Sequence, residues 1–397
     1  MRKLTLLSWI AAAAVVVPHA QAPSPRPSTQ ATATQGRAPL ALPAQAPTVD
    51  QILSLERAGS PEISADGRFV AYTVRTASWD DNDFVTQIWL ADAKGGAKPR
   101  PLTGGKKSSQ SPAWSPDGSR LAFVSDRTNK RQIYVINPLG GEAEELTTLD
   151  DGVGSFAWSP DGKSIAFTST EPKSAAVKDR DKKYGEFQVV EQDYRMTHLS
   201  ILDVASKAVK PLTTGAFTVG RFSWSPDGQS IAFDHTVNSS PGSAGSGDIS
   251  IVTVANGTIR KLVTQDGPDS HPVWSPDGAT IAFETAMANP SYFYSNRLIA
   301  TVPAAGGTPA VLTAAFDEDP SIVSWNQAGL FFAASAKTYA YLYRLDPGAK
   351  AAVRLGAAGD GVSSGFSFTR DGSTVAYLGS DARSMSDVFV APTSMAG

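Results

Sequence analysis

The feature that most constrains this chain is a five-residue motif that recurs along it. Trp-Ser-Pro-Asp-Gly occurs four times, beginning at Trp114, Trp158, Trp224 and Trp274. Degenerate copies begin at Ile63, Trp325 and Phe368. The fourth residues of the seven copies are separated by 51, 44, 66, 50, 51 and 43 residues. A motif that returns at this period is typical of a repeat architecture, in which each copy is one supersecondary unit.

Each copy of the motif has the same surroundings, and these predict four short strands. From Pro112 to Thr147, a strand is followed by the Ser-Pro-Asp-Gly turn, Leu-Ala-Phe-Val, a loop, Gln-Ile-Tyr-Val-Ile, two glycines and Glu-Glu-Leu-Thr. Ser, Pro and Gly occupy the positions that a type I turn favours for them. Four-stranded antiparallel units at this period are typical of a β-propeller. We therefore predict an all-β, seven-bladed β-propeller, with the motif tryptophans packed between adjacent sheets.

The last repeat is predicted to be incomplete. Its strands fall at about 366–368, 375–378 and 387–390, and the residues that follow align with the turn before the fourth strand of the other repeats. We therefore expect the chain to be a fragment of a longer one. The alternative is that a strand from elsewhere, near the amino terminus, completes this blade.

The amino-terminal segment differs from the repeats. Arg2 and Lys3 precede an apolar run over 4–17 and then small residues, a pattern typical of a secretory signal with cleavage near Ala20 or Ala22. The run is shorter than the roughly 20 residues of a membrane-spanning helix.

The expected organisation has three parts. These are a signal peptide over 1–22, a disordered Pro/Ala/Gln/Thr-rich linker over 23–47, and the propeller over 48–397. The protein is expected to be exported, periplasmic or secreted, with no membrane span after signal cleavage. At the start of the propeller, Thr48 and Gln51 have the spacing of a capping box that opens a short helix through Leu55.

The amino-acid composition excludes several kinds of catalytic and binding site. The chain has no cysteine and four histidines, so thiolate metal sites and cysteine nucleophiles are excluded. Beyond residue 47 it carries 31 basic and 38 acidic residues, so we expect no nucleic-acid partner. Phosphate-loop, dinucleotide and zinc-helix motifs are missing, and the acidic loops at 80–83 and 317–319 lack EF-hand spacing. We predict no cofactor and no metal site.

The Ser-Pro-Asp-Gly-x-x-Ile-Ala-Phe repeats, the segments 49–53 and 60–64, and the third-repeat segment 183–199 carry a family resemblance. Together they resemble the amino-terminal propeller of the prolyl oligopeptidase family of serine peptidases, in particular bacterial dipeptidyl and acylaminoacyl peptidases. TolB-type periplasmic propellers share the repeat motif. The resemblance implies a peptide substrate and an α/β-hydrolase domain after the propeller, which this sequence does not contain.

One segment matches the Gly-x-Ser-x-Gly elbow of that hydrolase domain, from Gly361 to Gly365 with Ser363 at its centre. It lies in the connection between two repeats, and no histidine follows it, so the Ser, acid, His order of the fold cannot be completed. We predict no catalytic residue in this chain and no hydrolysis by the chain alone.

The third repeat has the longest connection between its second and third strands, 33 residues against 11 to 17 in the others. Binding residues concentrate on such connections. In the peptidases that this chain resembles, a propeller carboxylate can hold the substrate ammonium, and Glu186 and Glu191 are the candidates, with Tyr194 and Arg195 as neighbours. The alternative is a structural or interface role. The charge run over 178–183 is predicted to be solvated.

Arg221 and His271 occupy matched positions at the start of innermost strands, and they are candidates for lining the channel; a structural or solvent-facing role is the alternative. The resemblance implies one of two functions. The chain is expected to be the propeller portion of an exported serine peptidase that gates access and positions peptide for the missing hydrolase domain. The alternative is a stand-alone TolB-like propeller that binds protein partners. A homo-oligomer is left open.

Overall fold

The helix that precedes the sheets begins where the capping box predicts. The computed structural model describes residues 2–4, 46–189, 192–356 and 361–393. After β1 (Arg2–Leu4), helix α1 spans Val49–Leu53. The Thr48 hydroxyl accepts the Gln51 backbone N–H at 3.2 Å, and the Gln51 side chain accepts the Thr48 N–H at 2.9 Å. The capping box is confirmed, but the helix ends at Leu53 rather than Leu55.

Five separate sheets follow, each with four antiparallel strands in sequence order. The first two consist of β2 (Arg57–Ile63), β3 (Phe69–Ser78), β4 (Asp83–Asp92) and β5 (Arg100–Pro101), then β6 (Ser109–Trp114), β7 (Leu121–Ser125), β8 (Gln132–Ile136) and β9 (Glu144–Glu145). The third consists of β10 (Phe156–Trp158), β11 (Ser164–Thr170), β12 (Thr197–Asp203) and β13 (Val209–Pro211), with helix α2 (Ala175–Tyr184) between β11 and β12. The last two consist of β14 (Thr218–Trp224), β15 (Ser230–Thr236), β16 (Asp248–Thr253) and β17 (Ile259–Val263), then β18 (Asp269–Trp274), β19 (Thr280–Thr285), β20 (Leu298–Pro303) and β21 (Ala310–Val311).

The remaining strands form one larger sheet. They are β22 (Ser321–Asn326), β23 (Gly329–Ala336), β24 (Tyr339–Asp346), β25 (Ala351–Arg354), β26 (Val362–Phe368), β27 (Thr374–Asp381) and β28 (Ser384–Pro392). One parallel pairing, Ala340 with Val362, joins β24 to β26, so two antiparallel groups share this sheet. The all-β propeller fold of four-stranded antiparallel blades is confirmed, and the count of seven stays a prediction of the repeat.

The last repeat has three strands that are consecutive in sequence, β26, β27 and β28. The outer edge of β28 is occupied by β1, which pairs with it antiparallel from Arg2 opposite Val390 to Leu4 opposite Val388. A strand from the amino-terminal end therefore takes the fourth position, as in the alternative that the sequence left open. These three residues lie within the predicted export signal; the rest of that signal and residues 23–45 lie outside the described residues.

The hydrophobic core lies between adjacent sheets. Apolar residues of the second sheet, such as Ile133, pack with Ile165 and Phe167 of the third, and this arrangement repeats around the fold. First strands of neighbouring sheets also contact each other, so they form the innermost layer. The predicted packing of the motif tryptophans is confirmed, since each lies in one of these clusters or against it.

Three of the tryptophans also form hydrogen bonds between sheets. The indole N–H of Trp114 donates to the Glu62 carbonyl at 2.9 Å, and that of Trp158 donates to the Ala113 carbonyl at 3.1 Å. Trp224 donates in the same way to the Ala157 carbonyl at 3.2 Å. Each indole therefore ties its own sheet to the first strand of the preceding sheet.

The repeated turn is held by its own side chains. In the second sheet the Ser115 hydroxyl donates to Asp117 at 2.6 Å, and the same carboxylate accepts the Ser119 backbone N–H at 3.0 Å. These hydrogen bonds stabilise the ionised carboxylate and lower the pKa of Asp117 to about 2. Gly118 follows with φ of 70°, a left-handed conformation that glycine adopts without strain. The motif residues are thus required by the turn itself.

A half-buried glutamate lies where the first and last repeats meet. The Ser367 hydroxyl of β26 donates to the Glu62 carboxyl at 2.8 Å and accepts the Ile63 backbone N–H at 3.1 Å. Burial raises the pKa of Glu62 to about 7 from an ordinary 4.5, an effect that the Ser367 hydrogen bond only partly opposes. As the pH rises from 4.5 toward 7, the unfolded chain ionises this group while the folded chain keeps it protonated, so Glu62 lowers stability across that window.

Replacement of Glu62 by Gln is therefore expected to stabilise the protein at pH 8, by about 1–3 kcal/mol, and to change little at pH 4.5. Gln preserves the size of the side chain and an oxygen that can accept from Ser367. Urea unfolding at the two pH values measures the difference, with Glu142→Gln on the surface as a control. A gain of the same size at both pH values would contradict the assignment of a raised pKa to Glu62.

Candidate functional site

The innermost strands carry a repeated irregularity that brings side chains to one place. The strand register shifts between Gln110 and Ala113 in the second sheet and between Ser270 and Val273 in the fifth. Such β-bulges change the direction of a side chain, and His271 adopts a φ of 52° at this point. Arg221 lies in the matching bulge of β14. The structure thus places the two candidates for the channel on adjacent first strands, with Arg221 exposed and His271 half-buried.

Glu284 on β19 is the centre of a hydrogen-bond network at these bulges. Its side chain is 2% exposed, and its Oε1 lies 2.8 Å from His271 Nδ1. The same oxygen accepts the Ser321 hydroxyl at 3.0 Å and the Ile322 backbone N–H at 2.9 Å, both from β22. Oε2 accepts Arg297 Nη1 at 2.9 Å. One carboxylate therefore joins the fifth sheet to the strand that follows it.

The ionisation of Glu284 follows from these partners. Burial opposes the charged form, but the hydrogen bond and charge of His271, the Ile322 N–H and the Arg297 charge outweigh it, so the pKa of Glu284 lies below its ordinary value. Arg297 is itself held by Asp319 at 2.7 Å. Asp319 belongs to the acidic loop at 317–319, and in the structure its carboxylate pairs with an arginine.

Asp234 on β15 holds the two bulges together. It accepts the Arg221 backbone N–H at 2.9 Å and the His271 backbone N–H at 2.7 Å, so one carboxyl bonds the first strands of two sheets. Burial raises the pKa of Asp234, and the hydrogen bonds and the charges of His271 and Arg221 oppose this only in part. The Asp234 side chain is thus held by two backbone N–H groups rather than by a side-chain ion pair.

These charges are confined to one sector of the propeller. Asp234 and Glu284 follow directly after the buried phenylalanine of the second strand in the fourth and fifth sheets. The matching positions in the other repeats carry uncharged residues, namely Thr73, Val124, Thr168, Ala333 and Leu378. Sequence reasoning missed Asp234, Glu284 and Arg297; the signal that identifies the first two is a carboxylate at a repeat position that is otherwise uncharged.

The third-repeat connection forms a separate ion-paired unit that includes helix α2. Lys173 lies 2.8 Å from both Asp181 on α2 and Glu186 after it. The Glu186 side chain is 82% exposed, so its carboxylate faces solvent with Lys173 on one side. Glu191 lies outside the described residues.

Arg180 holds the second half of this unit. Its guanidinium lies 2.8 Å from Asp193 and packs 4.4 Å from the centre of the Phe187 ring. The prediction that the charge run over 178–183 is solvated is therefore wrong for Arg180 and Asp181, whose side chains are 20% and 9% exposed. The sequence alone does not show that Lys173 and Asp193 supply their partners.

The other two candidates in this segment lie where it returns to the sheet. Arg195 forms an ion pair with Asp151 at 3.1 Å and donates to the Glu171 carbonyl at 3.0 Å, so it fastens the connection to a neighbouring loop. Tyr194 is half-buried beside it. The structure thus joins Arg195 to Asp151 and Glu186 to Lys173, and Tyr194 precedes Arg195 in the segment that returns to the sheet.

Exposed aromatic residues lie in the connections between second and third strands. Because each sheet is an antiparallel meander, these connections all lie on the same face of the propeller. Trp79, in the first sheet, is 55% exposed. The third and fifth repeats add aromatic side chains that are 49% to 94% exposed, namely Tyr184, Phe187, Phe293 and Tyr294. We call this set the aromatic face.

The segment from Gly361 to Gly365 does not form a catalytic elbow. Ser363 lies within β26, opposite Gly379, and more strand follows it, so this segment lacks the strand-turn-helix geometry of a nucleophile elbow. In the ranges that the structure describes, no three His, Asp or Glu side chains converge as metal ligands. Nor does any helix of those ranges have the length and apolar character to cross a membrane.

Comparison with known proteins agrees with the fold. Residues 50–195 match the TolB beta propeller domain family. The chain is 30% identical over 201 residues to the uncharacterized peptidase YuxL of Bacillus subtilis, covering 47% of this chain and 30% of that protein. It is 28% identical over 155 residues to dipeptidyl-peptidase 5 of Porphyromonas endodontalis, covering 39% and 21%. It is also 35% identical over 86 residues to the Tol-Pal system protein TolB of Thioalkalivibrio sulfidiphilus, covering 22% and 19%.

Solved structures show the same architecture. The acylaminoacyl peptidase of Pyrococcus horikoshii superposes with a TM-score of 0.67 at 17% identity, over 86% of this chain and 51% of that one. The β-propeller domain of the Trilobed protease from Pyrococcus furiosus superposes with a TM-score of 0.60 at 16% identity, over 84% and 95%. The predicted resemblance to peptidase and TolB propellers is confirmed, and the alignments span less than a third of the first two curated relatives.

Proposed function

We propose that this chain is the propeller portion of an exported serine peptidase, in which it restricts access and positions a peptide for an α/β-hydrolase domain. The aromatic face is the observation that carries the proposal. Large exposed apolar patches mark surfaces that another domain or protein covers, and we propose that the aromatic face is such a surface. A second domain seated on this face would bury Trp79, Phe293 and Tyr294 and would enclose the mouth of the channel.

The third-repeat connection supplies the proposed contact with substrate. Glu186 lies on the same side as the aromatic face, two residues after Tyr184, and its carboxylate is exposed. The Lys173 ammonium lies 2.8 Å from it, and this charge-assisted contact supports the proposal that the carboxylate can bind an ammonium group. A free peptide amino terminus would bind the solvent-facing side of the same carboxylate, with Tyr194 and Arg195 as its proposed neighbours. Glu191 is the alternative candidate for the carboxylate.

The alternative is a stand-alone propeller like TolB, exported and bound to protein partners through the aromatic face. The match of residues 50–195 to the TolB beta propeller domain favours it. The two functions differ in what covers the aromatic face: a domain of the same protein in the first case, and a separate protein in the second.

The test uses a longer protein that joins this chain to the proposed hydrolase domain. In it, Glu186→Gln or Glu191→Gln is expected to lower kcat/KM for substrates with a free amino terminus by roughly ten- to hundredfold, because the ammonium loses a charged partner. Amino-blocked substrates should be much less affected. Steady-state kinetics on matched free and blocked chromogenic dipeptides measures the ratio.

Asp179→Asn is the matched control, since it neutralises an exposed carboxylate on α2 near the same place. It should leave the ratio unchanged. If the ratio is unaltered in both glutamate variants, neither residue holds the amino terminus, and the connection serves packing instead. If the longer protein that includes the hydrolase domain has no peptidase activity, the stand-alone TolB-like function is favoured over the peptidase function.

A further inference from the structure

The hydrogen bonds of His271 Nδ1 cannot all be made at once. This atom lies 2.7 Å from Arg221 Nη1 and 2.8 Å from Glu284 Oε1. A guanidinium nitrogen only donates and an ionised carboxylate only accepts. Nδ1 would therefore need a lone pair for Arg221 and a proton for Glu284. One of the two contacts is made at the expense of the other.

The surroundings of Glu284 decide which contact is made. This carboxylate is buried and receives hydrogen bonds from Ser321, Ile322 and Arg297, so it is held ionised. A buried carboxylate is strongly favoured when each neighbour donates to it. His271 Nδ1 therefore carries a proton and donates it to Glu284. The Arg221 Nη1 then faces an N–H group and has no acceptor there.

Other groups near Arg221 do not supply a hydrogen-bond acceptor for its guanidinium. Asp234 lies on the paired strand β15, and its oxygens accept the backbone N–H groups of Arg221 and His271. In the part of the chain that the structure describes, the Arg221 guanidinium has no further hydrogen bond or ion pair. Arg297, the other arginine of the network, is held by Glu284 and Asp319. Arg221 is thus the one cation of this network with donors to spare.

We propose that the Arg221 guanidinium, presented by its bulge beside His271, binds the carboxylate of a ligand that enters the channel. A guanidinium fork matches a carboxylate with two parallel hydrogen bonds. The exposed position of Arg221 on an innermost strand gives a ligand access, while the half-buried Asp234 fixes the backbone and the buried Glu284 fixes the imidazole. That the carboxylate is the carboxyl terminus of a peptide rests on the proposed function; the carboxylate site itself does not.

The test uses the full chain and two probes, N-acetyl-trialanine with a free carboxyl terminus and the same peptide as its carboxyl-terminal amide. Isothermal titration calorimetry at low ionic strength is expected to show at least about tenfold tighter binding of the carboxylate. Arg221→Gln should lower the affinity for the carboxylate to that for the amide and leave the affinity for the amide unchanged. Arg221→Lys should keep part of the preference, because it keeps the charge but loses the fork.

Arg260→Gln is the matched control. Arg260 lies on the outermost strand β17 and donates to the Ala304 carbonyl. Its replacement by Gln changes the net charge by the same amount as Arg221→Gln. Equal binding of the two probes by the unaltered protein, no detectable binding of either, or the same loss in Arg260→Gln as in Arg221→Gln would overturn the proposal. These measurements need no hydrolase domain, so a carboxylate preference that survives the failure of the peptidase test still supports the Arg221 site.

Discussion

Replacing Glu284 with Gln is expected to lower the free energy of unfolding by about 3–5 kcal/mol, as when one partner of a buried ion pair is removed. The substitution preserves the shape of the side chain but removes the charge that His271 and Arg297 share. It also leaves an amide N–H₂ facing one of these donors. Urea unfolding at neutral pH, followed by tryptophan fluorescence, measures the change.

Glu144→Gln provides the comparison. Glu144 forms an ion pair with Lys207 at the same 2.8 Å separation, but its side chain is 60% exposed. Exposed pairs contribute about 0–1 kcal/mol, so this variant should be close to the unaltered protein. If Glu284→Gln were as mild as Glu144→Gln, the network would not join the fifth sheet to β22 in the way described.

Trp158→Ala is expected to destabilise the protein by about 3–5 kcal/mol, the usual cost of removing a large aromatic side chain from a core. Trp158 is 9% exposed and packs among the apolar residues of the second and third sheets. The truncation leaves a cavity between two sheets and also leaves the Ala113 carbonyl without its donor. Thermal unfolding and urea unfolding both report the loss.

Trp158→Phe separates the two contributions. Phe fills much of the cavity but cannot donate to Ala113, so we expect a smaller loss of about 1–3 kcal/mol, which comes from the unsatisfied carbonyl. Trp79→Ala, at a residue that is 55% exposed, should change stability little. A Phe variant as stable as the unaltered protein would show that the indole hydrogen bond between sheets contributes nothing measurable.

The fold was predictable because the signal is local and repeated. Ser115, Pro116 and Gly118 are each required by one tight turn, and the turn recurs in nearly every sheet, so recognising it gives the strand order. The capping box at Thr48 is local in the same sense, and it is confirmed. The tryptophan position also indicated packing, although the hydrogen bond to the preceding sheet depends on the arrangement in space.

The site was less predictable because its partners are distant in sequence or unmarked in it. Glu284 meets His271 across one hairpin but Ile322 from another sheet. No local rule distinguishes a carboxylate that will be buried from one that will be solvated. The charge run before Tyr184 shows the same limit, since Arg180 is paired with Asp193, which lies beyond the end of the helix. The bulge position of Arg221 and His271 was visible only because the repeat aligned them.

The contacts between blades differ in how they respond to pH. The indole hydrogen bonds of Trp114, Trp158 and Trp224 each join one blade to the first strand of the blade before it. At the junction of the first and last repeats the corresponding position is Ile63, and the fastening there is the Ser367 hydroxyl with the titratable Glu62. The junction of the first and last repeats is therefore expected to weaken as Glu62 ionises, whereas the three indole hydrogen bonds, which involve no titratable group, do not vary with pH in this way.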